Sequence, residues 1–180
     1  MLSADHASSI AEGLLAIPLP KRWSHTIGVA KTARRLAPIL GADAELVEVA
    51  AWLHDIGYSP ELALTGFHPI DGARYLRDTL ACDTAICNLV ANHTGAEVEA
   101  ELRGLPPVRV EFPVPTQLSL DALTYSDMTT DVDGCAVGVD ERLAEILGRY
   151  GAEHVVSRSV RCSSPMLRAT VQRIEDLLRA

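Results

Sequence analysis

Val49-Ala50-Ala51-Trp52-Leu53-His54-Asp55-Ile56-Gly57 carries the clearest pattern in the chain. With Leu46, Ala50 and Leu53 at helical spacing, it reads as the last turns of a buried helix that Gly57 stops. Its final positions hold His54 and Asp55, where the apolar pattern would accept Leu or Val. Burying an imidazole beside a carboxylate is costly unless both find partners. A divalent cation satisfies both, because it takes a neutral nitrogen and an anionic oxygen together. For these two residues alone, a hydrogen-bonded pair near a helix end is the plainer alternative.

N-terminal to this stretch, Asp43 is placed to cap the same helix at about Ala44. Residues 21–40 read as one helix, with Trp23, Ile27, Ala30 and Ala37 along a stripe, kinked by Pro38 and closed by Gly41. His25 lies on it among Gly28, Val29, Thr32 and Leu36, and so faces inward. Residues 4–17 form a short amphipathic helix ended by Pro18 and Pro20.

On the C-terminal side, residues 58–67 contain Pro60 and Gly66 and read as a loop. His68 then stands just outside a helix that Pro69 opens and that runs through Ala73, Leu76 and Leu80. Asp83 caps a helix over residues 84–92, and His93-Thr94-Gly95 ends it. Residues 96–102 read as a short polar helix, and 105–117, with four prolines, as an extended surface loop. Residues 118–130 are helical, with Asp127 near the end. Asp131-Val132-Asp133-Gly134 looks like part of a calcium loop, but Thr129 and Asp140 would fill its outer ligand positions. A solvated Asp-Gly turn is the better reading. Beyond it, Val139, Leu143, Ile146 and Tyr150 share a helical face, as do Leu167, Val171, Ile174 and Leu178. Ser164-Pro165 reads as the start of the last helix, and His154 as a surface residue.

The expected fold class is therefore all-α. A hydrophobic share of 48% with only 4% aromatic residues favours a helical core over a β-sandwich. A length of 180 residues suits one buried domain over residues 1–180. The formal net charge of -8 argues against a duplex nucleic-acid binder or a membrane-surface binder. It still admits a phosphorylated substrate, since bound divalent cations reverse the field locally. Cys82, Cys87, Cys135 and Cys162 show no paired metal-ligand spacing, and no basic-then-apolar leader stands at the start, so the expected location is cytoplasmic.

His25, His54, Asp55, His68, His93 and Asp127 all fall at helix ends or on inward faces. One shared cause accounts for six expensive burials better than six separate ones. Imidazoles and carboxylates in that ratio suit Mn, Fe, Co, Ni or Zn, with thiolates uninvolved.

Set in Arg-Trp-Ser-His25-Thr, Trp-Leu-His54-Asp55-Ile-Gly and Leu-Thr-Tyr-Ser-Asp127, these residues resemble the HD-domain metal-dependent phosphohydrolase superfamily over about residues 21–130. The resemblance implies an HD-domain helical bundle with core 21–130, C-terminal helices 139–179 packed on it, and a metal held by His25, His54, Asp55 and Asp127. His68 in Gly-Phe-His-Pro and His93 in Ala-Asn-His-Thr resemble the extra ligands of the binuclear branch. That implies two divalent ions (Fe, Mn, Co, Ni, Zn or Mg) bridged by Asp55. His-Pro before Asp-Gly-Ala, with a later His-Thr, is most similar to small bacterial HD proteins that hydrolyse dinucleoside polyphosphates. Gly57-Tyr58 stand where a lysine is common, and the Gly-Tyr-Pro of cyclic-di-GMP phosphodiesterases does not follow His93, so the nucleotide stays open.

The implied activity is hydrolysis of a nucleotide or related phosphoester or phosphoanhydride by metal-activated water, with His54 and Asp55 as catalytic residues. Lys21, Arg22, Arg74 and Arg77, the basic side chains nearest the ligand positions in sequence, are candidate phosphate contacts. The same six ligands also resemble those of mixed-valent di-iron HD oxygenases acting on small organic substrates. A non-catalytic, metal-stabilised nucleotide-binding module is the third alternative. Residues 105–117 and the C-terminal helices are candidates for a pocket rim or a homodimer contact.

Overall fold

The computed structural model describes residues 2–180, which form helices joined by short turns; among them the one β-type pairing is the isolated bridge Thr130–Ala136. In chain order the helices are α1 (Ala4–Leu15), α2 (Pro20–Arg35), α3 (Ala37–Leu40), α4 (Ala44–Leu53), α5 (His68–Asp78) and α6 (Thr84–Asn92). They continue as α7 (Ala96–Leu102), α8 (Val108–Glu111), α9 (Gln117–Met128), α10 (Val139–Arg149) and α11 (Val155–Arg179). The chain is all-α, as its periodicity implies, and no helix of the described residues is long and apolar enough to cross a membrane.

Helix α4 is the hub, packing against α1, α2, α6 and α9. Its sequence explains why: Val47, Val49, Ala50, Ala51 and Leu53 are all buried, only Glu45 is exposed, and Glu48 pairs with Arg34 of α2. The surrounding helices close over it with Leu15, Val29, Leu36, Leu76, Ile86, Leu89 and Leu123. Each such side chain contributes roughly 1.5–3 kcal/mol by leaving water. A second, smaller cluster of Met128, Leu143, Leu167 and Val171 seats α10 and α11 on the end of α9. The Arg173 guanidinium adds a two-pronged bond to the buried Asp121 carboxylate at 2.8 and 2.9 Å, tying α11 to α9.

Several local expectations need correction. The helix expected over 21–40 is broken at Leu36, because Pro38 cannot donate to a continuing ladder and instead starts α3; Ala37 is exposed. Asp43 caps nothing: its carboxylate accepts from Ser119 Oγ at 2.8 Å, linking α4 to α9. Helix α4 ends before Gly57, whose value lies in packing, since a Cβ there would sit 2.0 Å from the His68 carbonyl oxygen. His68 is the first residue of α5, not the residue before it. The stretch 105–117 is not all surface loop, for α8 turns within it and buries Val108 and Phe112 in the core.

The last helix begins ten residues before Ser164-Pro165, with His154 as its N-cap accepting from the Val156 amide. Pro165 is carried inside it. Ser163 and Ser164 donate their hydroxyls back to the carbonyls of Ser159 and Val160 beside the interruption. Leu178, expected on the inner face, is 46% exposed.

Two glycines give opposite expectations for one substitution. Gly57→Ala places a methyl against backbone of α5 and is expected to lower stability by about 3 kcal/mol, read as a drop in the urea midpoint. Gly13→Ala, inside α1 with open space around it, is expected to raise stability by about 0.5–1 kcal/mol.

Candidate metal centre

The end of α4 aims the central carboxylate. His54 keeps helical geometry, whereas Asp55 (φ -104°, ψ 2°) leaves it and enters a tight turn over Ile56–Tyr58. Asp55 thereby comes to lie between two sets of side chains. Its Oδ2 is 3.3 Å from His54 Nε2 and 3.9 Å from His25 Nε2, while Oδ1 is 3.4 Å from His68 Nε2. The six sequence-predicted ligands gather as His25, His54 and Asp127 on one side and Asp55, His68 and His93 on the other. Within each group the donor atoms lie within 4.8 Å of one another.

The imidazoles are oriented from behind. His25 Nδ1 faces the Asp131 carbonyl at 2.9 Å, His54 Nδ1 the Ala51 carbonyl at 2.8 Å, and His93 Nδ1 the Val90 carbonyl at 2.6 Å. A carbonyl only accepts, so the proton in each ring belongs on Nδ1 and the Nε2 lone pair is free to face the centre. His54 Nε2 is buried and has no hydrogen-bond partner. His68 Nε2 and His93 Nε2 stand 3.2 Å apart, a distance two bare lone pairs tolerate only with a proton or a cation between them.

Asp127 lies at the end of α9 and is clamped twice. His25 Nε2 sits 3.1 Å from Oδ1, a separation that again calls for a proton or a cation between the two acceptors, and Thr94 Oγ1 donates to Oδ2 at 2.6 Å. Thr94 holds a left-handed backbone (φ 46°, ψ 48°), costly for a β-branched residue by roughly 1–3 kcal/mol. That conformation turns its hydroxyl to Asp127 immediately after His93.

Charge balance in the site is tight. Burial would raise the Asp55 carboxyl, yet the Arg22 guanidinium and His54 hold it well below the usual carboxylate range. Asp127 is likewise held well below, burial being outweighed by its His25 contact. Burial pushes His54 down, but Asp55 wins and its pKa is raised, so the site favours a positive charge at Nε2, whether a proton or a cation. For His68 and His93 desolvation wins, and both are lowered.

The basic candidates separate clearly. Arg22 Nη1 donates to Asp55 Oδ2 at 2.8 Å, and its guanidinium lies 4.0 Å over the Tyr58 ring, which in turn stacks on His68 at 3.9 Å. Lys21 pairs with Asp133 at the surface. Arg74 and Arg77 do not reach the donor groups; both are tied to Glu111, and neither lines the cleft above them.

Sequence reasoning missed four contributors. Arg142 is 3% exposed, with Nη2 at 3.3 Å from His25 Nε2 and 3.6 Å from Asp127 Oδ1. Its position was readable, since it lies three residues after Val139 and four before Ile146 on the inward face of α10. Tyr58 and Thr94 carried no such signal. Nor did Asp131, whose loop is not simply solvated: Gly134 (φ 82°) docks on α2, where a Cβ on Gly28 would lie 2.5 Å from the Gly134 carbonyl oxygen. This contact carries the Asp131 carbonyl to His25.

The HD domain family model matches residues 22–132, which spans His25 to Asp127 and more than half of the chain. A tRNA (cytidine(56)-2'-O)-methyltransferase of Picrophilus torridus is 33% identical over 112 residues, 61% of this chain and 31% of that protein. A deoxyguanosinetriphosphate triphosphohydrolase-like protein of Caulobacter vibrioides is 51% identical over 39 residues, 22% of this chain and 10% of that protein. The chain thus spans a third or less of the length of either curated relative. No solved structure matches it. With the family's span covering the whole donor cluster, the chain belongs to the HD domain family.

Proposed function

We propose that the protein is a metal-dependent phosphohydrolase acting on a nucleotide, with His25, His54 and Asp127 holding one divalent cation, Asp55, His68 and His93 a second, and Asp55 shared between them. The observation that carries this reading is the orientation of the imidazoles. Three rings spend their Nδ1 protons on main-chain carbonyls, and the buried His54 Nε2 is left without a partner. Nitrogen and oxygen donors without thiolates suit Mn, Fe, Co, Ni or Zn. Family membership and the name of the triphosphohydrolase-like relative support the same class of chemistry.

When bound, such cations supply Lewis acidity: a solvent molecule acidified towards neutral pH, and positive charge against phosphoryl oxygens. The chain's own contribution is positioning. The carbonyls of Ala51, Val90 and Asp131 fix ring orientation, and Thr94 fixes the Asp127 carboxylate. Arg22 holds Asp55 ionised and aligned, and is itself kept in place by the face of Tyr58. Over the donor atoms a cleft is walled by Tyr58, Tyr150, Ile146 and Val160, whose apolar surfaces limit solvent access around a bound phosphoryl group.

Elemental analysis of the purified protein is expected to find two divalent ions per chain, and a screen of nucleotides and phosphoesters to find hydrolysis that chelation abolishes and Mn or Co restores. Stripping the metal is expected to lower stability by about 2.7 kcal/mol for each ion bound, relative to protein at a hundredfold excess of metal over its Kd. Asp55→Asn should reduce turnover at least ~100-fold while far-ultraviolet circular dichroism stays that of a folded helical chain. Full activity with an unchanged metal count in Asp55→Asn would remove Asp55 from the site. Thr94→Val, which loses only the bond to Asp127, is expected to weaken metal binding by about tenfold, measured by competition with a chromophoric chelator.

A further inference from the structure

The cleft over the donor groups shares Arg22, Arg142 and Arg149 with a second compartment of about 280 Å³. One wall of this compartment is the apolar turn of residues 18–20; Lys21 and the three arginines supply its charge. No acidic side chain lines it, although the chain as a whole carries a formal net charge of -8. Lys21 is paired with Asp133, Arg22 with Asp55 and Arg142 with Glu145, which leaves Arg149 as the least committed cation of the lining.

Arg142 is the telling residue. Its guanidinium donates through Nη1 to Glu145 at 2.7 Å, while Nη2 rests on His25 Nε2 and Asp127 Oδ1, and Nε is buried without a hydrogen-bond partner. A buried guanidinium with an idle donor is costly unless a further acceptor arrives. A cation at His25, His54 and Asp127 would claim the lone pairs on which Nη2 rests, leaving Nη2 as well as Nε in need of an acceptor. Arg149 reaches Glu145 only at 3.9 Å and makes no hydrogen bond among the described residues. Both arginines project from α10, beyond the span of the family match.

We propose that Arg142 and Arg149, together with Arg22, bind a second anionic group of the substrate, adjacent to the phosphoryl group at the donor sets. The turn at residues 18–20 receives an apolar, flat portion of the same molecule. The substrate class is then a phosphoanhydride with charge on both sides of the scissile bond, such as a nucleoside di- or polyphosphate, and not a simple phosphomonoester. Planar guanidinium forks suit this task because they present paired donors to phosphate oxygens. The inference rests on the reading that the donor sets hold divalent cations.

Calorimetric titration of the metal-loaded protein tests it, comparing adenosine 5′-thiomonophosphate with α,β-methylene adenosine 5′-diphosphate. The second probe adds one anionic group across a linkage that cannot be cleaved. It is expected to bind at least about tenfold tighter, the worth of one charge-assisted hydrogen bond. Arg149→Ala should erase most of that advantage, leaving affinity for the monophosphate probe within about twofold and the metal count unchanged; Arg142→Gln should erase it as well, with any metal lost through its contacts to His25 and Asp127 read separately by elemental analysis. Arg149 lies at the surface end of α10, so its variant carries the test even where Arg142→Gln does not fold. Equal affinity of wild type for the two probes, binding of neither, or an equal loss of both in Arg149→Ala overturns the proposal. An arginine-dependent advantage in a protein that hydrolyses nothing keeps the subsite and rejects the hydrolase reading. Metal-dependent hydrolysis without any advantage does the reverse.

Discussion

The buried carboxylates of Asp55 and Asp127 share one small volume of a helical protein and remain ionised, and that requirement shapes everything around them. Removing a carboxylate from water is tolerated only where positive charge and hydrogen-bond donors replace the lost hydration. Here Arg22 reaches one and Arg142 approaches the other, Thr94 donates to the second, and imidazoles crowd the space between. The helices take this arrangement because the apolar surface of α4 is broad enough to seat α1, α2, α6 and α9, and α4 delivers His54 and Asp55 to the interior at its end. The structural hub and the chemical hub are thus the same segment of chain.

Much of this was legible from residue types alone. His54 and Asp55 interrupt an apolar pattern in the most buried helix, and His68 and His93 sit at helix boundaries that Pro69 and Asp83 announce. What escaped has physical reasons. The acceptor that orients His25 is the main-chain carbonyl of Asp131, and a carbonyl is common to every residue type. Thr94 matters through a left-handed backbone that no propensity for threonine suggests. Gly57 looked like a helix stop, but its lack of a side chain is used across space, where α5 begins. Ser164-Pro165 matched a helix start in local chemistry, yet Pro165 lies within one long helix that is held by Leu167, Val171 and Ile174.

The family match ends at residue 132, but the walls of the cleft do not. Arg142, Ile146, Arg149 and Tyr150 come from α10, and Val156 and Val160 from α11. The donor groups and the outer walls of the cleft are therefore built from different parts of the chain. Function lives in such sites, not in folds. A shared core can keep its donor geometry while the C-terminal helices reshape the cleft above it.

The position of Asp127 has a consequence for how the molecule comes into being. A domain folds as a unit. The contacts of His25 with Asp127 and with the carbonyl of Asp131 join positions 102 and 106 residues apart, so that donor group closes only where α9 docks on α2. Asp55, His68 and His93 lie within a much shorter stretch of chain, whose ends cost less entropy to bring together. The two donor groups therefore differ in how much of the fold each one needs.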